Sequence, residues 1–150
     1  MRLLASSLAS VGLALAAVVA TVPTLSGCDS SDPVSCEPGG EIAVVETTPA
    51  GARLGATITA ADCVYLTYEG RLETGEVFDQ NERAPLRIQG TVRGFQQAVV
   101  GRRVGESVTV TIPPSLGYGA RPPFGSDIPA CATLEFDITI GDTAPPSVCR

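Results

Sequence analysis

The chain has 150 residues, 44% of them hydrophobic, with 16 acidic residues, ten basic residues and no histidine. All ten basic residues are arginine, and the formal charge of −6 excludes the basic surface that nucleic acid requires. The lack of histidine removes the usual general base and a principal zinc ligand, and a chain of this length has room for one domain with a real core, not two.

Residues 1–27 read as an export signal. Arg2 supplies a minimal positive start, and Leu13 to Ala20 is an unbroken apolar run too short to span a bilayer. The run leads to Leu25-Ser26-Gly27-Cys28, which resembles the lipobox of bacterial lipoproteins. That resemblance implies that Cys28 is diacylated and becomes the mature first residue, a membrane anchor rather than a ligand. Several acyl chains hold firmly where one alone binds only marginally. Without the signal the chain keeps nine basic residues against 16 acidic ones, a formal −7. Residues 28–40 are polar and turn-rich and read as a tether, reaching at most about 3.3–3.6 Å per residue. The expected address is therefore the bacterial cell envelope: exported and lipid-anchored, on the cell membrane or its periplasmic face.

Strand patterns dominate from Ile42 onward. A weak strand is expected over Ile42 to Glu46. Val64, Leu66 and Tyr68 alternate with Tyr65 and Thr67, and a further short strand is expected over Leu86 to Ile88, beside Phe78-Asp79. Arg93 to Val100 breaks the alternation: Phe95, Val99 and Val100 stand at i, i+4 and i+5, and Gly101 is placed to end a short helix. Val108, Val110 and Ile112 then alternate with Thr109 and Thr111. Leu134, Phe136, Ile138 and Ile140 do so with Glu135, Asp137 and Thr139. Alternation of this length means antiparallel strands with one face buried.

Besides Cys28, cysteines stand at 36, 63, 131 and 149, an even number in a chain bound for an oxidising compartment. Two disulfides are expected, and four cysteines allow three connectivities. A zinc site would need closely spaced cysteine pairs or histidines, which the sequence lacks, so neither metal nor cofactor is expected.

Four segments occur in one order: Tyr68-Glu69-Gly70-Arg71-Leu72, Phe78-Asp79, Ile112-Pro113-Pro114-Ser115-Leu116-Gly117-Tyr118-Gly119 and Ala132-Thr133-Leu134-Glu135-Phe136-Asp137. In that order and spacing they resemble the FKBP-type peptidyl-prolyl isomerase domain. The resemblance implies an α+β fold in which an antiparallel five-stranded sheet, in the strand order 1-4-5-2-3, wraps around one short helix. It divides the chain into signal peptide (1–27), tether (28–40), isomerase domain (41–141) and C-terminal tail (142–150). In the implied strand order Cys36 falls beside Cys131 at one end of the sheet and Cys63 beside Cys149 at the other, so the resemblance also implies these two disulfides.

By the same resemblance, Tyr68, Phe78, Phe95 and Phe136 line an aromatic pocket with Phe95 as its floor, where the family commonly has tryptophan. Leu86, Val92 and Ile128 are the aliphatic positions beside it. Tyr118 corresponds to the tyrosine whose hydroxyl donates to a substrate carbonyl, and Asp79 to the carboxylate that bonds Tyr68. The loop Arg121 to Asp127 is longer than in small members, and its Phe124 is expected near the pocket. The implied partners are proline-containing unfolded or nascent exported polypeptides, together with macrolides of the tacrolimus type.

The chemistry agrees with the inventory. The chain has no nucleophile elbow and no phosphate loop, and prolyl isomerisation needs neither. Its barrier of about 18–20 kcal/mol comes from amide resonance that is lost when the bond twists. A different class of function, a catalytically weak binding module acting as a holdase or envelope adaptor on the same fold, would use the same apolar groove.

Overall fold

The structure, a computed structural model, describes residues 35–37 and 39–149. The segment expected to be an export signal, Cys28 and most of the expected tether lie outside these residues. Five strands form one sheet: β1 (Ala43–Glu46), β2 (Cys63–Leu72), β3 (Val77–Arg87), β4 (Ser107–Ile112) and β5 (Leu134–Ala144). Their order is β1-β4-β5-β2-β3, with antiparallel pairing throughout, as the resemblance implies.

The apolar alternation read from the sequence sets the register. Across β4 and β5, Val108, Val110 and Ile112 stand opposite Ile138, Phe136 and Leu134. Across β2 and β5, Leu66, Tyr68 and Leu72 stand opposite Ile140, Ile138 and Leu134. One sheet face therefore carries the buried side chains and the other carries Thr67, Glu69, Arg71, Thr109 and Asp137. On the polar face Arg71 gathers three carboxylates, Glu69 at 2.5 Å, Glu135 at 3.1 Å and Asp137.

The helix α1 (Arg93–Val99) lies across the apolar face and buries Phe95, Ala98 and Val99. Gly94 permits its close approach, because a Cβ there would come within 2.4 Å of an Ile112 methyl group. Val100 ends the helix and Gly101 leaves it at φ +86°, while the Arg102 guanidinium donates to the Ala98 carbonyl at 2.8 Å and brings a cation to the helix C-terminus. Ile58, outside any strand, is fully buried in the core, held where its carbonyl accepts from the Gly101 amide at 2.9 Å.

Two disulfides join Cys36 to Cys131 and Cys63 to Cys149, with Cα separations of 5.2 and 6.0 Å. They tie opposite ends of the sheet. Cys131 precedes Leu134, opposite the end of β2, whereas Cys63 opens β2 opposite Ala144.

The third strand departs from expectation. It spans Val77–Arg87 rather than Leu86 to Ile88, and Ile88 begins a 3-10 turn, Ile88–Gly90. Residues 80–83 have no apolar alternation to announce a strand; they become one by pairing with β2. The pairing is interrupted twice. Glu82 and Arg83 stand opposite the single residue Thr67, with Arg83 at φ +51°, and Phe78 is an extra residue between Asp79, opposite Gly70, and Val77, opposite Arg71. Such bulges re-aim side chains locally.

Candidate functional site

Between the helix and the inner face of β2, β3 and β5 lies a recess of about 290 Å³. Its walls come from four elements: Tyr68 from β2, Phe136 from β5, Asp79 and Leu86 from β3, and Phe95 from α1. Gly90, the last residue of the 3-10 turn, and Thr91 and Val92, between that turn and the helix, form one rim, and Tyr118 closes the other.

The rings meet edge to face, the geometry their quadrupoles favour. The Phe95 and Phe136 centroids are 5.3 Å apart at 86°, those of Tyr68 and Phe95 6.2 Å apart at 81°. Phe78 stands behind the wall, 5.5 Å from Phe136 at 89°, and does not line the recess. Ile128 is buried in the core cluster and is likewise absent from the lining. Phe124 points fully into solvent. The other expected residues, Tyr68, Asp79, Phe95, Tyr118, Phe136, Leu86 and Val92, are brought together.

Three contributors were not expected. Gly90 and Thr91 line the rim, and Thr91 is fixed by its hydroxyl donating to the Ile88 carbonyl at 2.8 Å. No periodic signal marks them. Gly70 is the third: a Cβ on it would meet Phe136 Cε1 and Phe78 Cζ, each at 2.7 Å. A glycine inside a strand marks such a close approach, and that signal was present in Tyr68-Glu69-Gly70.

The polar groups are few and placed. The Tyr68 hydroxyl donates to Asp79 Oδ2 at 3.0 Å. These residues sit on the diagonal of the β2–β3 ladder, since Tyr68 faces Asn81 and Gly70 faces Asp79. Burial, and then the hydrogen bond and charge of Asp79, push the Tyr68 phenol up to about 12. Burial, with Asp79 second, also raises Tyr118. Phenols are protonated at neutral pH in any case, and these shifts extend that range upward, so both are donors. A larger depression of about 580 Å³ on the outer face is lined by Thr67, Glu69, Arg71, Glu82 and Asp137 among others. Its charged walls cannot make the apolar, water-poor surroundings that disfavour a planar amide, so the smaller aromatic recess is the candidate site. Among the described residues no group of three or more His, Cys, Asp or Glu side chains is placed to hold a metal ion.

A sequence profile for the FKBP-type peptidyl-prolyl cis-trans isomerase matches residues 55–141, more than half of the chain. The chain belongs to the FKBP family. It is 40% identical over 91 residues to FK506-binding protein 4 of Chaetomium thermophilum, covering 57% of this chain and 18% of that protein. A probable FKBP-type peptidyl-prolyl cis-trans isomerase of Haemophilus influenzae is 31% identical over 114 residues, covering 69% of this chain and 47% of that one. The FKBP fold is matched by a peptidyl-prolyl cis-trans isomerase of Pseudomonas syringae, with a TM-score of 0.60 and 27% identity over 69% of this chain and 76% of that one. FkpA from Escherichia coli gives 0.58 and 30%, over 69% of this chain and 47% of that one. The chain spans less than two thirds of the length of these curated FKBP relatives. The match begins after β1, so Ala43–Glu46 and the Cys36 side of the first disulfide lie outside the matched segment.

Proposed function

We propose that this FKBP-family protein is a peptidyl-prolyl cis-trans isomerase, exported and lipid-anchored through Cys28, that accelerates X-Pro rotation in polypeptides emerging from translocation. The observation that carries the reading is the aromatic recess, in which Tyr68, Phe95 and Phe136 enclose a space suited to a proline ring beside the Tyr118 phenol. Uncatalysed X-Pro flips take tens to hundreds of seconds, slow enough to limit folding.

A planar amide is more polar than a twisted one, so replacing water by these rings disfavours the ground state. The Tyr118 hydroxyl, protonated at neutral pH as any phenol is, donates to the carbonyl of the substrate and holds the twisted bond in register. Each tenfold in rate needs about 1.36 kcal/mol, so a millionfold enhancement asks for about 8 kcal/mol of tighter binding to the twisted amide. No covalent step is involved. The same recess takes macrolides of the tacrolimus type, a reading supported by the FK506 binding for which the Chaetomium relative is named.

The test is isomerisation of a short X-Pro peptide by the oxidised domain from Asp29, compared with the Tyr118→Phe, Phe136→Ala double variant. Acceleration that disappears in the variant supports the enzyme and its pocket together. No acceleration by either protein overturns the enzyme in favour of a binding module. For the anchor, Cys28→Ser is expected to release the protein from membranes, and an unchanged membrane fraction would overturn lipidation.

A further inference from the structure

The described residues before β1, 35–37 and 39–42, form a strap along the turn that carries Tyr118. Gly40 lies so close to Pro113 that a Cβ on it would come within 2.8 Å of the proline Cβ, and the Ser115 hydroxyl donates to the Gly39 carbonyl at 3.3 Å. The strap is also joined to the far side of the same loop. Cys36 is bonded to Cys131, whose amide donates to the Gly119 carbonyl at 2.8 Å, one residue beyond Tyr118. The turn is thus gripped before Tyr118 at 113–115 and after it at 119.

Tyr118 needs this grip, because it lies between Gly117 and Gly119, the latter at φ +59°, and glycines leave the backbone free to move. Cys131 itself sits at φ +60°, a conformation uncommon for a residue with a side chain. Surrounding structure must hold it there. The disulfide and the amide bond to Gly119 do so.

We propose that the Cys36–Cys131 bridge and the strap it closes are a positioning element for the recess, holding Tyr118 where its hydroxyl meets the substrate carbonyl. The bridge touches no substrate and acts through Gly119 and Pro113. This inference rests on the reading of the recess as the substrate site. The second bridge supplies an internal control. Cys63–Cys149 closes a chain separation of 86 residues against 95, so its effect on the unfolded chain is similar, yet it lies at the other end of the sheet.

The experiment compares the oxidised full-length protein in detergent with Cys36→Ser, Cys131→Ser and with Cys63→Ser, Cys149→Ser, at a temperature where circular dichroism shows all three folded. Two readouts are taken: kcat and KM for an X-Pro peptide, and the alkaline absorbance titration of the tyrosines. Removing the first bridge is expected to lower kcat/KM by roughly tenfold to hundredfold, the scale of a small misplacement. It should also return one tyrosine towards its ordinary titration as Tyr118 leaves its buried seat. Removing the second bridge is expected to lower the unfolding midpoint and leave kcat/KM unchanged, and the titration is read with Tyr65, which packs against Cys63 and Cys149, replaced in every protein (Tyr65→Phe).

Equal kinetics and titration in the two variants would overturn the proposal. If the first variant does not fold, Gly40→Ala retains the bridge but drives the strap off Pro113; it must shift the same two readouts, and unchanged values overturn the proposal. A folded wild-type protein without isomerase activity would sink the substrate-site reading instead, and the titration would then decide the positioning role alone.

Discussion

Replacing Gly70 by alanine tests whether the recess wall is packed as tightly as its geometry implies. The added Cβ would lie 2.7 Å from both the Phe136 and Phe78 rings, with a second Phe78 atom at 3.0 Å. The two rings already meet edge to face at 5.5 Å, so neither can move without disturbing the other. Overpacking of this kind costs about 1–3 kcal/mol, and replacing a glycine inside a strand returns roughly 0.5–1. The expected balance is a loss of up to about 2.5 kcal/mol, read from urea denaturation. Because Phe136 is also a wall of the recess, isomerisation of an X-Pro peptide is expected to fall by roughly tenfold while the protein remains folded. Gly90→Ala is the comparator for stability: nothing lies within 4 Å of its added Cβ, and the substitution should be neutral or stabilise by up to about 1 kcal/mol. A Gly70→Ala protein as stable and as active as the wild type would refute the reasoning.

Three further outcomes follow from the side-chain chemistry. The folded state holds the Tyr68 proton more tightly than the unfolded chain, so this contribution is complete below pH 10.0 and is lost as pH rises towards about 12; thermal denaturation across that window should show the decline, and Tyr68→Phe should flatten it. Asp137 is held below its ordinary value by the Thr109 hydroxyl and then by Arg71, so it contributes stability above the usual carboxylate range that is lost on acidification through its folded value. Asp137→Asn should flatten the acid limb of the melting profile, and a steeper limb would contradict the assignment. Loss of the Cys63–Cys149 bridge, which closes 86 residues, should cost about 4.6 kcal/mol by chain entropy, measured by denaturant unfolding of the Cys63→Ser, Cys149→Ser protein.

Much of the architecture was legible because period-two alternation forces its own consequence. Once Val108, Val110 and Ile112 share a face, and Leu134, Phe136 and Ile138 share another, pairing these faces over the helix is the way to bury both. The helix was legible for the same reason, from Phe95 and Val99 together with the stop at Gly101. The site was legible as an ordered set of aromatics and one carboxylate. Its exact lining was not, since alternation says which face a residue takes and not how deep it sits. Phe78 and Phe136 look equivalent in the sequence, yet only Phe136 reaches the recess, because a bulge sets Phe78 behind it.

The sequence by itself determined the faces of β2, β4 and β5, the span of the helix, the class of site and the supply of cysteines. These follow from local periodicity and from side-chain chemistry that needs no distant partner. Tertiary structure decided the rest. Residues 80–83 are a strand only because β2 offers them a ladder, and Asp79 reaches Tyr68 only because the bulges in that ladder set the diagonal. Gly90 and Thr91 belong to the recess because a 3-10 turn folds them over it. Ile58 is core because Gly101 binds its carbonyl from 43 residues away. Each depends on residues distant in the chain, and a contact of that kind leaves no periodic trace in either segment.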